Sequence, residues 1–249
     1  IQADLKAFSA LGTFGTSVIT ALVAQNTRGV DAVHEVPQEF VAAQLESLFT
    51  DVRIDAVKIG MLGNASTVRC VSKALRHFEP SRVVLDPVMV AQSGDRLLKP
   101  EAVAALRDEL LPQVDLITPN LPEAAVLLEE PEARDEGDMH DQLDRLGKLS
   151  ARVLLKGGHL PGRESIDLLL ADGAITRLSK ERLRTRNTHG TGCTLSAAVT
   201  ALRPQRPDWT SAVAEAKDYL TDALAASDQL DVGHGHGPQQ HFHAWWPSP

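Results

Sequence analysis

Short apolar runs rich in β-branched residues alternate along this chain with longer stretches of helical periodicity, and no other feature limits its folds as strongly. Repeated βα units of this kind close into a mostly parallel sheet with helices on its faces. Strands are predicted over 16–24, 54–59, 82–86, 114–118, 152–156, 166–171 and 174–178. Helices are predicted over 2–10, 38–49, 65–78, 100–110, 121–129, 138–148, 191–202 and 208–227, with Gly12 as the C-terminal stop of the first. Asp172-Gly173 between the last two strands predicts a hairpin, and so an antiparallel edge. Loops are expected at 92–96, 130–137 and 160–165. No repeat, low-complexity tract or linker divides the chain, and one α/β domain over residues 1–249 is expected.

In an open parallel sheet, ligands bind beyond the carboxyl ends of the strands. Five polar, glycine- or proline-rich clusters stand there: Gln25-Asn26-Thr27, Gly60-Met61, Asp86-Pro87-Val88-Met89, Thr118-Pro119-Asn120 and Lys156-Gly157-Gly158-His159. In a parallel sheet all five share one edge. Asp86 and Glu123 are carboxylates suited to Mg²⁺, directly or through water. Lys156 offers a point charge to a transferring phosphoryl group.

The run Asn187-Thr-His-Gly-Thr-Gly-Cys-Thr194 precedes an apolar helical stretch. Gly190 and Gly192 let the backbone approach a ligand closely, and the unpaired first-turn N–H groups with the helix dipole favour an anion. The same field is expected to lower the Cys193 pKa and raise its thiolate fraction. These are parts of a phosphotransferase. The P-loop pattern is absent, since Gly147-Lys148 is followed by Leu149, and no G-x-G-x-x-G follows a strand to support a dinucleotide-dependent dehydrogenase.

A net charge of −8 and a pI near 5.6 argue against a nucleic-acid partner. No apolar run reaches bilayer-spanning length and no signal-peptide layout opens the chain, so no membrane association and a cytoplasmic location are expected. Two cysteines, Cys70 and Cys193, suggest reduced thiols rather than a disulfide framework.

The strings I-Q-A-D-L-K-A-F-S-A-L-G, V-I-T-A-L-V-A-Q-N-T-R-G-V, K-I-G-M-L, V-L-D-P-V-M-V-A-Q-S-G, L-I-T-P-N-L-P-E-A, L-L-K-G-G-H and N-T-H-G-T-G-C-T-L-S-A-A resemble those of bacterial hydroxymethylpyrimidine/phosphomethylpyrimidine kinases, almost end to end. The resemblance implies a ribokinase-like three-layer αβα sandwich around a mostly parallel sheet. It further implies two successive ATP-dependent phosphorylations that make the pyrimidine diphosphate of thiamine biosynthesis, with ATP and Mg²⁺ as cofactors and a homodimeric assembly. Many sugar kinases of that superfamily carry an aspartate base in G-x-G-D, where this sequence has Cys193.

On matching positions the resemblance assigns Gln25 to the aminopyrimidine edge, Asp4 to the hydroxymethyl or ring-nitrogen region, and Met61 and Val88 to the ring pocket. Asn120 and Glu123 match an N-x-x-E motif at the magnesium and phosphate site. Lys156, Thr188, Gly190, Thr191 and Gly192 would face the ATP phosphates, with Cys193 handling the proton. Family members carry a strand and a glycine-rich turn, broadly A-G-[ST]-D-x-S-G-G-A-G, directly before I-Q-A-D-L-K, which this sequence does not contain. Its loss would remove a central strand and part of the substrate-site wall, so the expectation is either that the full protein has it and this sequence records only part, or that this chain is not competent. A pyridoxal kinase on the same scaffold and a non-catalytic pyrimidine-phosphate-binding protein are the alternatives.

The same residues also have plainer readings. Cys193 could be a small buried residue under a helix, and Asn120-Leu-Pro-Glu123 is equally a capping box. Lys156 could snorkel to solvent and Met61 fill the core. What counts against coincidence is that several such signals fall at successive strand ends. The tail from Asp231 carries His234, His236, His241 and His243 without spacing that completes a metal site, and reads as a docking segment anchored by Trp245 and Trp246.

Overall fold

A computed structural model describes residues 1–89 and 98–246; the loop expected at 92–96 lies outside them. Six strands form the central sheet in chain order: β3 (Val57–Ile59), β4 (Val83–Leu85), β5 (Leu116–Ile117), β6 (Val153–Lys156), β7 (Glu164–Ala171) and β8 (Ala174–Glu181). The first four are parallel and the last two antiparallel, with Asp172 and Gly173 at φ 51° and 80° in the hairpin turn. Positive φ at both turn positions matches the twist of the flanking strands.

Successive side chains of these strands enter opposite cores. Val83, Leu85, Ile117, Val153 and Leu155 pack under α2 (Gln38–Asp51), α3 (Ala65–Phe78), α4 (Pro100–Ala105), α5 (Leu121–Leu128) and α6 (Glu136–Leu146). Val84, Leu116, Leu154 and Leu169 pack instead under α1 (Gln2–Ala10), α7 (Thr191–Leu202) and α8 (Trp209–Ala225). With both faces covered, the strands need apolar residues throughout, which is why they read as continuous runs. The result is the expected three-layer αβα architecture.

Three expectations change. The run over 16–24 does not enter the parallel sheet: β1 (Ala21–Asn26) and β2 (Gly29–Glu35) pair with each other as a separate antiparallel hairpin. Asn26 Oδ1 accepts the Arg28 N–H at 2.8 Å, an Asx turn that folds the chain back before it can continue as one strand. Gln25-Asn26-Thr27 therefore leaves the shared edge, and Gln25 is exposed. The helix over 100–110 is α-helical only to Ala105, widens to a π turn over Leu106–Leu110, and tightens to a 3₁₀ turn over Leu111–Gln113. The loops expected at 130–137 and 160–165 are trimmed by α6, capped by the Asp135 side chain, and by β7.

The tail packs on the α1–α7–α8 layer. Tyr219 donates to the His241 carbonyl at 2.9 Å, the Trp245 indole donates to the Ala10 carbonyl at 3.1 Å, and Trp246 stacks on Phe242. Among the described residues no helix is long and apolar enough to cross a membrane.

Candidate active site

The parallel strands end together, so Gly60-Met61, Asp86, Thr118-Pro119-Asn120 and Lys156 converge on one edge beneath the start of α7. Lys156 Nζ lies 2.8 Å from Asp86 Oδ1, and both side chains are almost fully buried. Thr118 Oγ1 donates to the same oxygen at 3.2 Å and Ser196 Oγ to the other at 3.2 Å. Burial pushes the Asp86 carboxyl up, but Lys156 and Lys58 outweigh it and hold the group below the usual carboxylate range. Burial likewise opposes the Lys156 ammonium, which Asp86 and Glu123 keep charged.

Gly190 caps α7 at φ 83°, a left-handed conformation that suits glycine, and no side chain occupies the cap. Thr191 N–H reaches only the Thr188 carbonyl, at 3.4 Å. A methyl group at Gly192 would stand 3.1 Å from Lys156 Nζ, so the bare backbone is what lets the ammonium sit under the helix start. Backbone donors and a buried cation thus face one point. Gln239 braces the turn from the tail: its amide donates to the His189 carbonyl at 2.8 Å and its oxygen accepts from Thr194 Oγ1 at 3.1 Å.

A second buried pair lies beside the first. Lys58 Nζ approaches Asp4 Oδ1 at 2.9 Å, with both side chains nearly inaccessible. The Cys193 thiol, half-buried, is close to both pairs, and the expected thiolate is not what this setting favours. Burial pushes the thiol up to about 11, against the opposing pull of Lys58 and Lys156 and with Asp86 and Asp4 adding to the rise. The helix-terminus field was expected to dominate; desolvation and two carboxylates outweigh it.

Glu123 and Asn120 do form a capping box: Asn120 Oδ1 accepts the Glu123 N–H at 2.8 Å, and Glu123 Oε2 accepts the Asn120 N–H at 2.8 Å. Burial also pushes the Glu123 carboxyl up to about 7, opposed by Lys156 and by hydrogen bonds from the Asn120 and Met89 backbone. A carboxyl so costly to ionise is one that a nearby divalent cation would favour in its charged form. Asp86 differs, because its charge is already met by Lys156.

Met61 lines a cavity of about 320 Å³ with Thr20, Val33, Glu35 and Lys99. Val88 is half-buried at the adjacent strand end, its N–H donating to the Asp86 carbonyl at 2.8 Å. Of the residues predicted for the site, Asp4, Asp86, Asn120, Glu123, Lys156, Thr188 and the 190–193 turn gather at this edge, Met61 and Val88 flank it, and Gln25 stands away on the hairpin. Sequence reasoning gave no role to Lys58, Thr118, Ser196 or Gln239. Lys58 carried a signal, a lone charge inside the apolar strand Val57-Lys58-Ile59, and Ser196 follows Cys193 at helical spacing.

Residues 1–240 match the family model described as phosphomethylpyrimidine kinase. The chain is 58% identical over 247 residues to the hydroxymethylpyrimidine/phosphomethylpyrimidine kinase of Escherichia coli K12, covering 99% of this chain and 93% of that protein. Among solved structures, an ADP complex of Bacillus subtilis pyridoxal kinase superposes with a TM-score of 0.90 at 32% identity, covering 98% of this chain and 92% of the other. A phosphomethylpyrimidine kinase from Clostridium difficile 630 superposes with a TM-score of 0.79 at 39% identity, covering 90% and 92%.

Proposed function

The chain belongs to the phosphomethylpyrimidine kinase family, and from that premise we propose that its strand-end cleft phosphorylates a hydroxymethylpyrimidine and then the resulting monophosphate, with ATP as donor, in thiamine biosynthesis. The observation that carries this reading is Lys156, charged and buried, facing the open backbone of Gly190–Cys193.

In the first step the substrate hydroxyl oxygen attacks the γ-phosphorus in line. The bond from that phosphorus to the β,γ-bridging oxygen breaks, ADP leaves, and the hydroxyl proton passes to the small thiolate fraction of Cys193. Lys156 and the amides of the glycine turn hold the transferred group, in a site where preorganised charge is worth more than in water. Asp86, with Thr118 and Ser196, fixes Lys156. In the second step the acceptor is already an anionic phosphate and needs no such base.

Mg²⁺, held through water by Glu123 with Asp86 behind it, would neutralise charge on the nucleotide phosphates. Thr188 and Thr191 face the same phosphates, and Asn120 holds Glu123 in place. Asp4, Met61 and Val88 form the pyrimidine end of the cleft, and Gln25 closes over it only if the β1–β2 hairpin folds inward. We read the whole chain as one kinase domain acting in the cytoplasm. A homodimer would cover the exposed Leu22, Val23 and Val33 of the hairpin, and sedimentation at micromolar concentration tests it.

The likeness to pyridoxal kinase keeps a second substrate in view, but 58% identity to a pyrimidine kinase against 32% to a pyridoxal kinase favours the pyrimidine. Turnover measured on hydroxymethylpyrimidine and on pyridoxal separates the two. Binding of the pyrimidine without ATP consumption would instead support the non-catalytic alternative.

A further inference from the structure

The tail crosses the glycine turn, and it lies closer than side chains on it would allow. A methyl group at Gly235 would stand 2.0 Å from the Thr27 carbonyl oxygen, in the turn between β1 and β2, and one at Gly237 would stand 2.2 Å from Asn187 Oδ1. Bare backbone at both positions lets this strap touch the hairpin and the start of the 187–194 run together. His236 N–H donates to the Thr27 carbonyl at 2.9 Å, and His189 N–H donates to the Gly237 carbonyl at 3.1 Å. Gln239, two residues further on, is 1% exposed. Its amide nitrogen donates to the His189 carbonyl at 2.8 Å and, more weakly, to the Asn187 carbonyl at 3.4 Å. Its oxygen accepts from Thr194 Oγ1 at 3.1 Å, and that hydroxyl lies 3.1 Å from His241 Nε2. Carbonyls only accept, so this set of partners fixes which end of the Gln239 amide faces the turn.

We propose that Gln239 is a positioning residue for phosphate binding: by holding the His189 carbonyl it sets the direction of the Gly190 N–H. The peptide between His189 and Gly190 is trans, so its carbonyl and its N–H point in opposite directions. With the carbonyl fastened to the tail, the N–H is turned away from the tail, and among the described residues it has no protein acceptor. Both backbone polar groups of His189 are tied, the N–H to Gly237 and the carbonyl to Gln239, so the peptide cannot flip without breaking hydrogen bonds to the strap. Such a restraint has work to do at Gly190, because a glycine at φ 83° lacks the Cβ that would otherwise limit its backbone. A donor aimed before the ligand arrives binds an anion without the cost of ordering the loop. The proposal rests on the kinase reading for the identity of the anion, a nucleotide phosphate; the tie between Gln239 and the Gly190 peptide stands apart from it.

The test is binding of AMP-PCP, a non-hydrolysable ATP analogue, with Mg²⁺ to the full chain. Calorimetry gives the dissociation constant, and the Gly190 amide resonance of protein carrying isotope-labelled glycine reports the donor itself. In the unaltered protein that resonance should shift on binding. Gln239→Met, similar in length but without the amide, should raise the dissociation constant about tenfold and remove most of the Gly190 response. Gly237→Ala, which pushes the strap off Asn187 two residues before Gln239, should act in the same direction and keeps the test open if Gln239→Met fails to fold. A Gly190 resonance that AMP-PCP leaves unmoved in the unaltered protein overturns the proposal, and so does an unchanged dissociation constant in the folded variant. Weakened AMP-PCP binding in the variant, with no pyrimidine turnover in the unaltered protein, leaves the proposal standing and sinks the substrate assignment.

Discussion

Lys156 and Asp86 are 70 residues apart in sequence and meet at 2.8 Å, buried together beneath the bare backbone of Gly192. The pair joins the ends of β4 and β6 and aims one cation at the start of α7. Removing either member leaves an uncompensated buried charge, which costs about 3–5 kcal/mol. Lys156→Met should therefore lower the melting temperature and reduce turnover at least about 100-fold. The double variant Asp86→Asn with Lys156→Met should recover much of the stability and none of the turnover. Recovery of turnover in the double variant would show that the pair is only a core contact.

The two phosphorylations should differ in their response to pH. With the Cys193 thiol at about 11, its thiolate fraction rises as pH rises from 7 to 9. First-step turnover should climb with it, approaching tenfold per unit, while the second step stays nearly flat. Cys193→Ala should flatten the first-step profile and cut first-step turnover far more than ATP binding. Parallel losses in both steps would assign the residue to positioning.

The two glycines of the turn should respond differently to alanine. At Gly190 a side chain would be forced into φ 83°, costing about 1 kcal/mol in stability. At Gly192, inside the helix, alanine is the better helix former, but its methyl group would stand 3.1 Å from Lys156 Nζ. Gly192→Ala should melt no lower than the unaltered protein and lose about tenfold or more in kcat/KM for ATP. Thermal melts and steady-state kinetics on both variants check this.

His241 links the tail to the site, its Nε2 lying 3.1 Å from Thr194 Oγ1. Burial lowers the imidazole to about 4 in the folded protein, whereas the unfolded chain takes up that proton near about pH 6.5. The folded state therefore binds fewer protons between those values, so the stability is fully present above the upper one and drains as pH falls toward the lower. His241→Asn should flatten the melting temperature over that window. An unchanged slope would place the acid sensitivity elsewhere.

Much of this was legible because strands buried on both faces must be apolar, which leaves their polar residues at the ends. Asp86, Asn120, Glu123 and Lys156 announced the edge in that way. The run over 16–24 misled because it reads as one more strand of the parallel sheet, while the Asx turn that folds β1 back onto β2 depends on the single side chain of Asn26. The thiol misled for a different reason. A sequence shows that Cys193 starts a helix, but not that Asp4 and Asp86, from distant segments, share its low-dielectric surroundings. Gln239 and His241 reach the turn through tertiary docking that no local pattern encodes.

The central claim is that this cleft carries both phosphorylations of one pyrimidine. Its most direct test is a time course of the protein with hydroxymethylpyrimidine and Mg·ATP, resolving mono- and diphosphate products, beside the Lys156→Met variant. The monophosphate should appear first and give way to the diphosphate, with both absent in the variant. Release of no pyrimidine phosphate, or full activity in Lys156→Met, would contradict the account.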